Sequence, residues 1–156
     1  VKFRRLITGI GLKFLGKGLV SCSKIEKAIQ KELEFYEDGF IIELKVFNTD
    51  TQVAVEKVGN NFKYLGSNYN RAPDLSIAFK SYEAALMLIL GQIGVYEGYA
   101  QHRFIVKGDL IASMPFIRIL YYVEAYLFPK IISKKILKEI PKLSSNKIKA
   151  YIRLIA

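Results

Sequence analysis

An α+β fold is what the sequence predicts, and three observations carry that prediction. Short runs alternate apolar and polar residues at a period of two, the pattern of strands with one face on a core. Phe40, Ile42, Leu44 and Val46 alternate with Glu43 and Lys45, and Leu75, Ile77 and Phe79 alternate with Ser76 and Ala78. Apolar stretches at helical spacing lie between and after them, above all Ala84 to Leu90 and Phe116 to Leu127. The third observation is size: 156 residues suffice for one domain whose core needs neither metal nor disulfide.

Taken in order, residues 1–22 place Phe3, Leu6, Ile7, Ile10 and Phe14 at helical spacing, with Arg4, Arg5, Lys13 and Lys17 largely off that stripe. This basic amphipathic segment fits a membrane surface or a helix packed on the domain, and both readings stand at this point. Gly9, Gly11, Gly16 and Gly18 each cost about 1 kcal/mol in a helix interior, so helix formation requires that the apolar face be covered. A cleaved signal peptide is not expected, because Lys13 and Lys17 interrupt the apolar run and no small-x-small site follows.

Ser23-Lys24-Ile25-Glu26 predicts a capping box opening a helix to about Tyr36. The strand of Phe40 to Val46 follows, then a second through Val53 and Val55. Gly59-Asn60-Asn61 turns the chain into a hairpin with a third strand at Phe62 to Leu65. Ser67 to Pro73 form a polar loop before the strand at Leu75. Ser81 caps the helix of Ala84 to Leu90, which is apolar all round and so demands cover on every side. Gly91, Gly94 and Gly98 loosen the chain before a strand at Phe104 to Val106, bringing the total to about five, mostly antiparallel.

The segment from Leu110 to Ile132 is long enough to span a bilayer. Arg118 and Glu124 near its centre would each cost about 2.5–3.5 kcal/mol there, and Pro115 and Pro129 interrupt it, so a core helix is expected instead. Ser113 would cap that helix, with Pro115 in its first turn and Pro129 at its end. From Lys130 two basic helical pieces follow, separated by Pro141, with Ile136, Leu137 and Ile140 and then Ile148, Ile152 and Ile155 on their apolar sides. Lys134, Lys135, Lys138, Lys147, Lys149 and Arg153 border those stripes, which again suits either membrane attachment or packing.

Composition sharpens this. The chain is 51% hydrophobic and 24% charged with a mean hydropathy of +0.19, high for a soluble chain of this size, so extra apolar surface must be placed somewhere. The net charge of +10 is concentrated at the ends. Residues 1–24 hold six cations and no acid, residues 130–156 hold eight cations against Glu139, and the stretch between is mildly acidic. Nucleic-acid binding is disfavoured because these arms alternate cations with aliphatic residues instead of polar or aromatic ones.

Several of these residues resemble a known family. Asp74-Leu75-Ser76-Ile77, Ala85 to Gly91, Tyr99-Ala100 and Val106-Lys107-Gly108-Asp109-Leu110 are similar to the sterol carrier protein 2 (SCP-2) like lipid carriers. That family has an acid-led strand, a helix ending in Gly, a small-residue turn and a strand closing in Lys-Gly-Asp. The resemblance runs from about Ile25 to about Leu120, with Gly108-Asp109 its sharpest point. The chain departs from the pattern at Tyr99-Ala100-Gln101-His102 and in continuing past the usual end. The resemblance implies helices packed on one face of the sheet and a non-enzymatic carrier. On that reading residues 1–22 and 130–156 are amphipathic extensions flanking a carrier domain of residues 23–129.

Residues able to do chemistry are few. The single histidine, His102, excludes a histidine metal cluster and leaves a Ser-His-Asp triad one candidate with no Gly-x-Ser-x-Gly elbow; an exposed strand end is expected. Gly9-Ile10-Gly11 falls short of a dinucleotide fingerprint, and no cofactor or metal is expected. Asp74 and Asp109 begin elements and read as caps or turn residues. Lone Cys22 rules out an internal disulfide and suits a reducing compartment.

The expectation is therefore binding and transfer of a lipid, acyl chain or isoprenoid in an apolar cavity between sheet and helices. Its candidate lining is Leu86, Leu90, Ile93, Phe104, Met114, Ile117, Leu120 and Tyr121, with Arg118 and Glu124 as candidates for a polar head. Arg4, Arg5, Lys13, Lys134, Lys135 and Lys138 would dock a cytoplasmic, peripheral protein on an anionic membrane. The alternative is an accessory or scaffold subunit presenting a hydrophobic substrate to a partner enzyme, as lipid-carrier domains of quinone-synthesis assemblies would.

Overall fold

The computed structural model describes residues 2–128, 141, 143 and 145–155. Five strands, β1 (Ile41–Val46), β2 (Gln52–Val58), β3 (Asn61–Gly66), β4 (Leu75–Phe79) and β5 (Phe104–Lys107), form one sheet in the order β3-β2-β1-β4-β5. Three pairings are antiparallel, as expected, and the central one, β1 with β4, is parallel. The register sets Ile42 and Leu44 between Val55 and Val53 on one side and Leu75 and Ile77 on the other. One face of the sheet is therefore apolar across its centre, because residues sharing a rung share a face.

The opposite face carries Glu43, flanked by Ala54 and Ser76. The Ser76 hydroxyl donates to Glu43 Oε1 at 2.8 Å, and the Tyr69 hydroxyl donates to Glu43 Oε2. With Arg71 Nη2 donating to the Gly39 carbonyl at 2.7 Å, the polar loop of residues 67–73 is drawn over this side of the sheet. A carboxylate with both oxygens occupied can be buried without the penalty of an unpaired charge.

The helices are α1 (Lys2–Ile25), α2 (Lys27–Leu33), α3 (Tyr82–Ile89), α4 (Val95–Ala100), α5 (Leu110–Leu127) and α6 (Lys147–Ile155). All six contribute to a single core cluster on the apolar face of the sheet. By length and composition alone α1 and α5 could each cross a membrane, yet both bury their core faces against the sheet. The α+β class and the five strands agree with the sequence reading.

Four local expectations are corrected. Ser23 is not a cap: α1 continues through it, its hydroxyl donating to the Val20 carbonyl (2.7 Å) and accepting from the Phe62 amide (3.0 Å). Glu26 caps α2 instead, with extended backbone and its carboxylate accepting from the Ala28 amide at 2.9 Å. Helix α5 begins a turn earlier than Ser113, because Asp109 accepts from the Ile111 amide at 2.9 Å, leaving Pro115 inside the helix. The carbonyl that proline leaves without a partner belongs to exposed Ile111, where water can serve it. The Gly94-to-Gly98 stretch, expected to be loose, holds α4, whose first amide is satisfied by Glu124 at 2.9 Å. Helix α3 is covered on one side only: Ala84, Ala85 and Leu88 are buried, whereas Leu86 and Met87 are half-buried and Leu90 is exposed.

The glycines of α1 explain how so long a helix fits the core. A Cβ on Gly11 would lie 2.5 Å from Ile89, on Gly16 2.8 Å from the Tyr64 ring, and on Gly18 2.6 Å from Leu127. The missing side chains let α1 approach α3, β3 and α5 closely, and that packing offsets their helix penalty. At the other end, α6 is fastened to α1 and α5. Ser21 donates to the Ala150 carbonyl (2.6 Å), Ser145 to the Ile25 carbonyl (2.7 Å) and Tyr151 to the Leu127 carbonyl (2.7 Å). The described part of the basic C-terminal extension is thus packed on the domain, while the predicted docking residues Lys134, Lys135 and Lys138 lie outside the described residues.

Candidate ligand groove and membrane face

Helix α1 is apolar on two sides. Leu12, Leu15, Leu19 and Cys22, spaced three or four apart, are buried against the sheet and the other helices. The expected stripe, by contrast, faces outward except at half-buried Ile7: Phe3 is 72% exposed, Leu6 63%, Ile10 61% and Phe14 41%. No acid lies on this helix, and Lys2, Arg4, Lys13 and Lys17 are all exposed beside the stripe. Arg5 turns to the domain, its Nη2 meeting both oxygens of Asp50 at 2.8 and 2.9 Å. Lys17 lies 6.0 Å from the centre of the Tyr64 ring.

Between the N-terminal half of α1 and strands β2 and β3 runs an open groove of about 540 Å³. Leu6, Gly9, Ile10, Val53 and Tyr64 give it apolar walls, Thr51, Gln52 and Ser67 a polar edge, and Lys2, Arg5, Lys13 and Asp50 a charged mouth. Gly9 keeps the helix wall low, since a Cβ there would meet no atom within 4 Å. The volume lies within the range of small-molecule sites, about 300–1,000 Å³. Two of the exposed stripe residues, Leu6 and Ile10, also wall the groove, so groove and outer face are continuous.

The expected lining residues sit elsewhere. Ile93, Phe104, Ile117 and Leu120 are buried in the core, Leu86 and Tyr121 are half-buried, and Leu90 and Met114 are exposed. Helix α1 packs against α3 through Gly11 on Ile89 and, about two turns along the same face, against α5 through Gly18 on Leu127. Arg118 and Glu124 are likewise kept apart in function. Arg118 Nε donates to Glu32 at 2.9 Å on the surface, whereas Glu124 is buried with Oε1 on the Val95 amide and Oε2 without a hydrogen-bond partner among the described residues. Burial pushes the Glu124 carboxyl up to about 8, with the Val95 amide pulling the other way.

Comparison with known proteins gives little to carry over. No family model matches the chain, and no curated protein matches it. Among solved structures, one described as "UbiJ-SCP2 Ubiquinone synthesis protein" is similar, with 15% identity and a TM-score of 0.49. The match covers 78% of this chain and 99% of that one. With so little sequence shared, no residue of this chain takes a role from it.

The remaining chemical candidates have structural surroundings. Cys22 is fully buried, and burial, then nearby Glu26, pushes its thiol up to about 12. His102 is exposed at the turn before β5, with a positive φ of 54°. Asp74 accepts the Ile41 amide at 2.8 Å, holding β1 to the start of β4. Among the described residues no cluster of His, Cys, Asp or Glu could hold a metal ion. The groove residues Gly9, Val53 and Tyr64 were not expected from sequence, and no local signal marks them, because the groove exists only where α1 crosses a hairpin some forty residues downstream.

Proposed function

We propose that this protein binds a lipid or another long apolar molecule without catalysing a reaction on it, and works as a peripheral protein on an anionic membrane surface at the cytoplasmic side. The observation that carries this reading is the second apolar face of α1, with Phe3, Leu6, Ile10 and Phe14 exposed in one helical stripe among cations. Such a helix lies in the headgroup region with its apolar side down. Each lysine or arginine near an anionic surface adds about 1 kcal/mol, so Lys2, Arg4, Lys13 and Lys17 with four apolar side chains support reversible attachment. Vesicle flotation tests it. The protein should float with phosphatidylcholine vesicles containing phosphatidylglycerol and remain behind with phosphatidylcholine alone, and Phe3→Ser/Phe14→Ser should abolish flotation without lowering the melting temperature. Equal flotation of the double variant would refute this role for α1.

A second reading, an accessory subunit presenting an apolar substrate to a partner enzyme, is favoured by a separate surface. Helices α2 and α5 run antiparallel, with Tyr126 on Glu26, Arg118 on Glu32 and the Tyr36 hydroxyl on the Ala112 carbonyl. This places exposed Phe35 beside the first turns of α5, where Leu110, Ile111 and Met114 are also exposed. On this reading Ile111→Glu leaves vesicle flotation unchanged but removes a stoichiometric protein from complexes isolated from the native host.

A further inference from the structure

We infer that the groove between α1 and the β2–β3 hairpin is the cargo site, and that it seats a single-chain amphiphile with an anionic head. Resting on the lipid-binding reading above, the inference adds the site and the headgroup class. Leu6, Ile10, Val53 and Tyr64 offer walls for one aliphatic chain, and Gly9 leaves the space between them open. The mouth is electrostatically one-sided. Arg5 is matched by Asp50, while Lys2 and Lys13 form no ion pair among the described residues, so the mouth carries an excess of two positive charges. A carboxylate or phosphate head complements that excess; a neutral head does not. Because Leu6 and Ile10 belong to both the groove and the outer face of α1, a chain leaving an anionic leaflet reaches the groove without crossing water.

The groove lies on the outer flank of α1, not between α3 and α5, so its occupation needs no repacking of the core. That difference makes the assignment separable from core binding by mutation. Gly9→Leu adds bulk at a groove-lining position where a Cβ meets no atom within 4 Å, and it also improves helix propensity.

The test is binding of monomeric oleate, lysophosphatidic acid and monoolein to the full chain, each below its critical micelle concentration, read by calorimetry and by native mass spectrometry. Oleate and lysophosphatidic acid should bind one to one, and monoolein about tenfold more weakly or worse. Gly9→Leu should remove oleate binding while vesicle flotation persists, and Lys2→Glu/Lys13→Glu should weaken oleate about tenfold with monoolein unchanged. Oleate binding unaltered by Gly9→Leu, or monoolein binding as tightly as oleate, overturns the assignment. Phe3→Ser/Phe14→Ser, outside the groove, keeps the two ideas distinguishable: loss of flotation with oleate binding retained separates docking from cargo.

Discussion

Glu124 brings a pH dependence into the core. Its folded value of about 8 stands above its ordinary 4.5, so the folded state holds the proton more tightly than the unfolded chain. The stability this confers is fully present below about 4.5 and is lost as pH rises through the window to about 8, where the buried carboxylate must carry charge with Oε2 lacking a hydrogen-bond partner among the described residues. Chemical denaturation at pH 5 and pH 8.5 should therefore show a loss on the order of a few kcal/mol toward alkaline pH. Glu124→Gln, which keeps an acceptor for the Val95 amide and cannot ionise, should flatten that slope. Cys22 gives a second prediction at this scale: with its thiol fully buried and pushed up to about 12, alkylating reagents should leave it unmodified until the protein is unfolded.

At the scale of elements, glycines divide by what surrounds them. Gly9 has open space, so Gly9→Ala should raise stability by about 0.5–1 kcal/mol through helix propensity alone. Gly18 lies against Leu127, so Gly18→Leu should cost about 1–3 kcal/mol by overpacking the α1–α5 contact. Gly108 is a different case. Its φ of +119° and the 2.7 Å that would separate a Cβ from the Asp74 carbonyl oxygen make any side chain strained and obstructed by backbone. Gly108→Ala should destabilise by at least about 1–3 kcal/mol in thermal melts. This is the physical content of the Lys-Gly-Asp sequence: the glycine lets β5 pass tightly by the start of β4, and Asp109 then caps α5.

For the whole molecule, the basic ends differ in kind. The N-terminal half of α1 leaves cations and apolar side chains facing outward, whereas α6 has Ala150 in the core and Tyr151 and Leu154 against it. Deleting residues 145–156 should consequently lower stability by about 2–4 kcal/mol, since it uncovers the C-terminal half of α1 and strands the Ile25 carbonyl. Vesicle flotation should fall with added salt, because charge supplies part of the attachment, and the α1 apolar stripe should set what remains at high salt.

The sequence by itself determined the strands, the hairpin at Gly59, the Ser81 cap of α3 and the amphipathic character of α1, because each depends on residues within a few positions of one another. It also contained the second face of α1, Leu12-Leu15-Leu19, though the more conspicuous aromatic stripe obscures it. Only the tertiary structure decided which of those faces turns inward, what the glycines are for, and that one face of α1 packs on both α3 and α5. The same is true of the groove. Its two walls are separated by some forty residues, and the periodicity of either wall is satisfied equally by a surface that is covered and by one left open to a ligand.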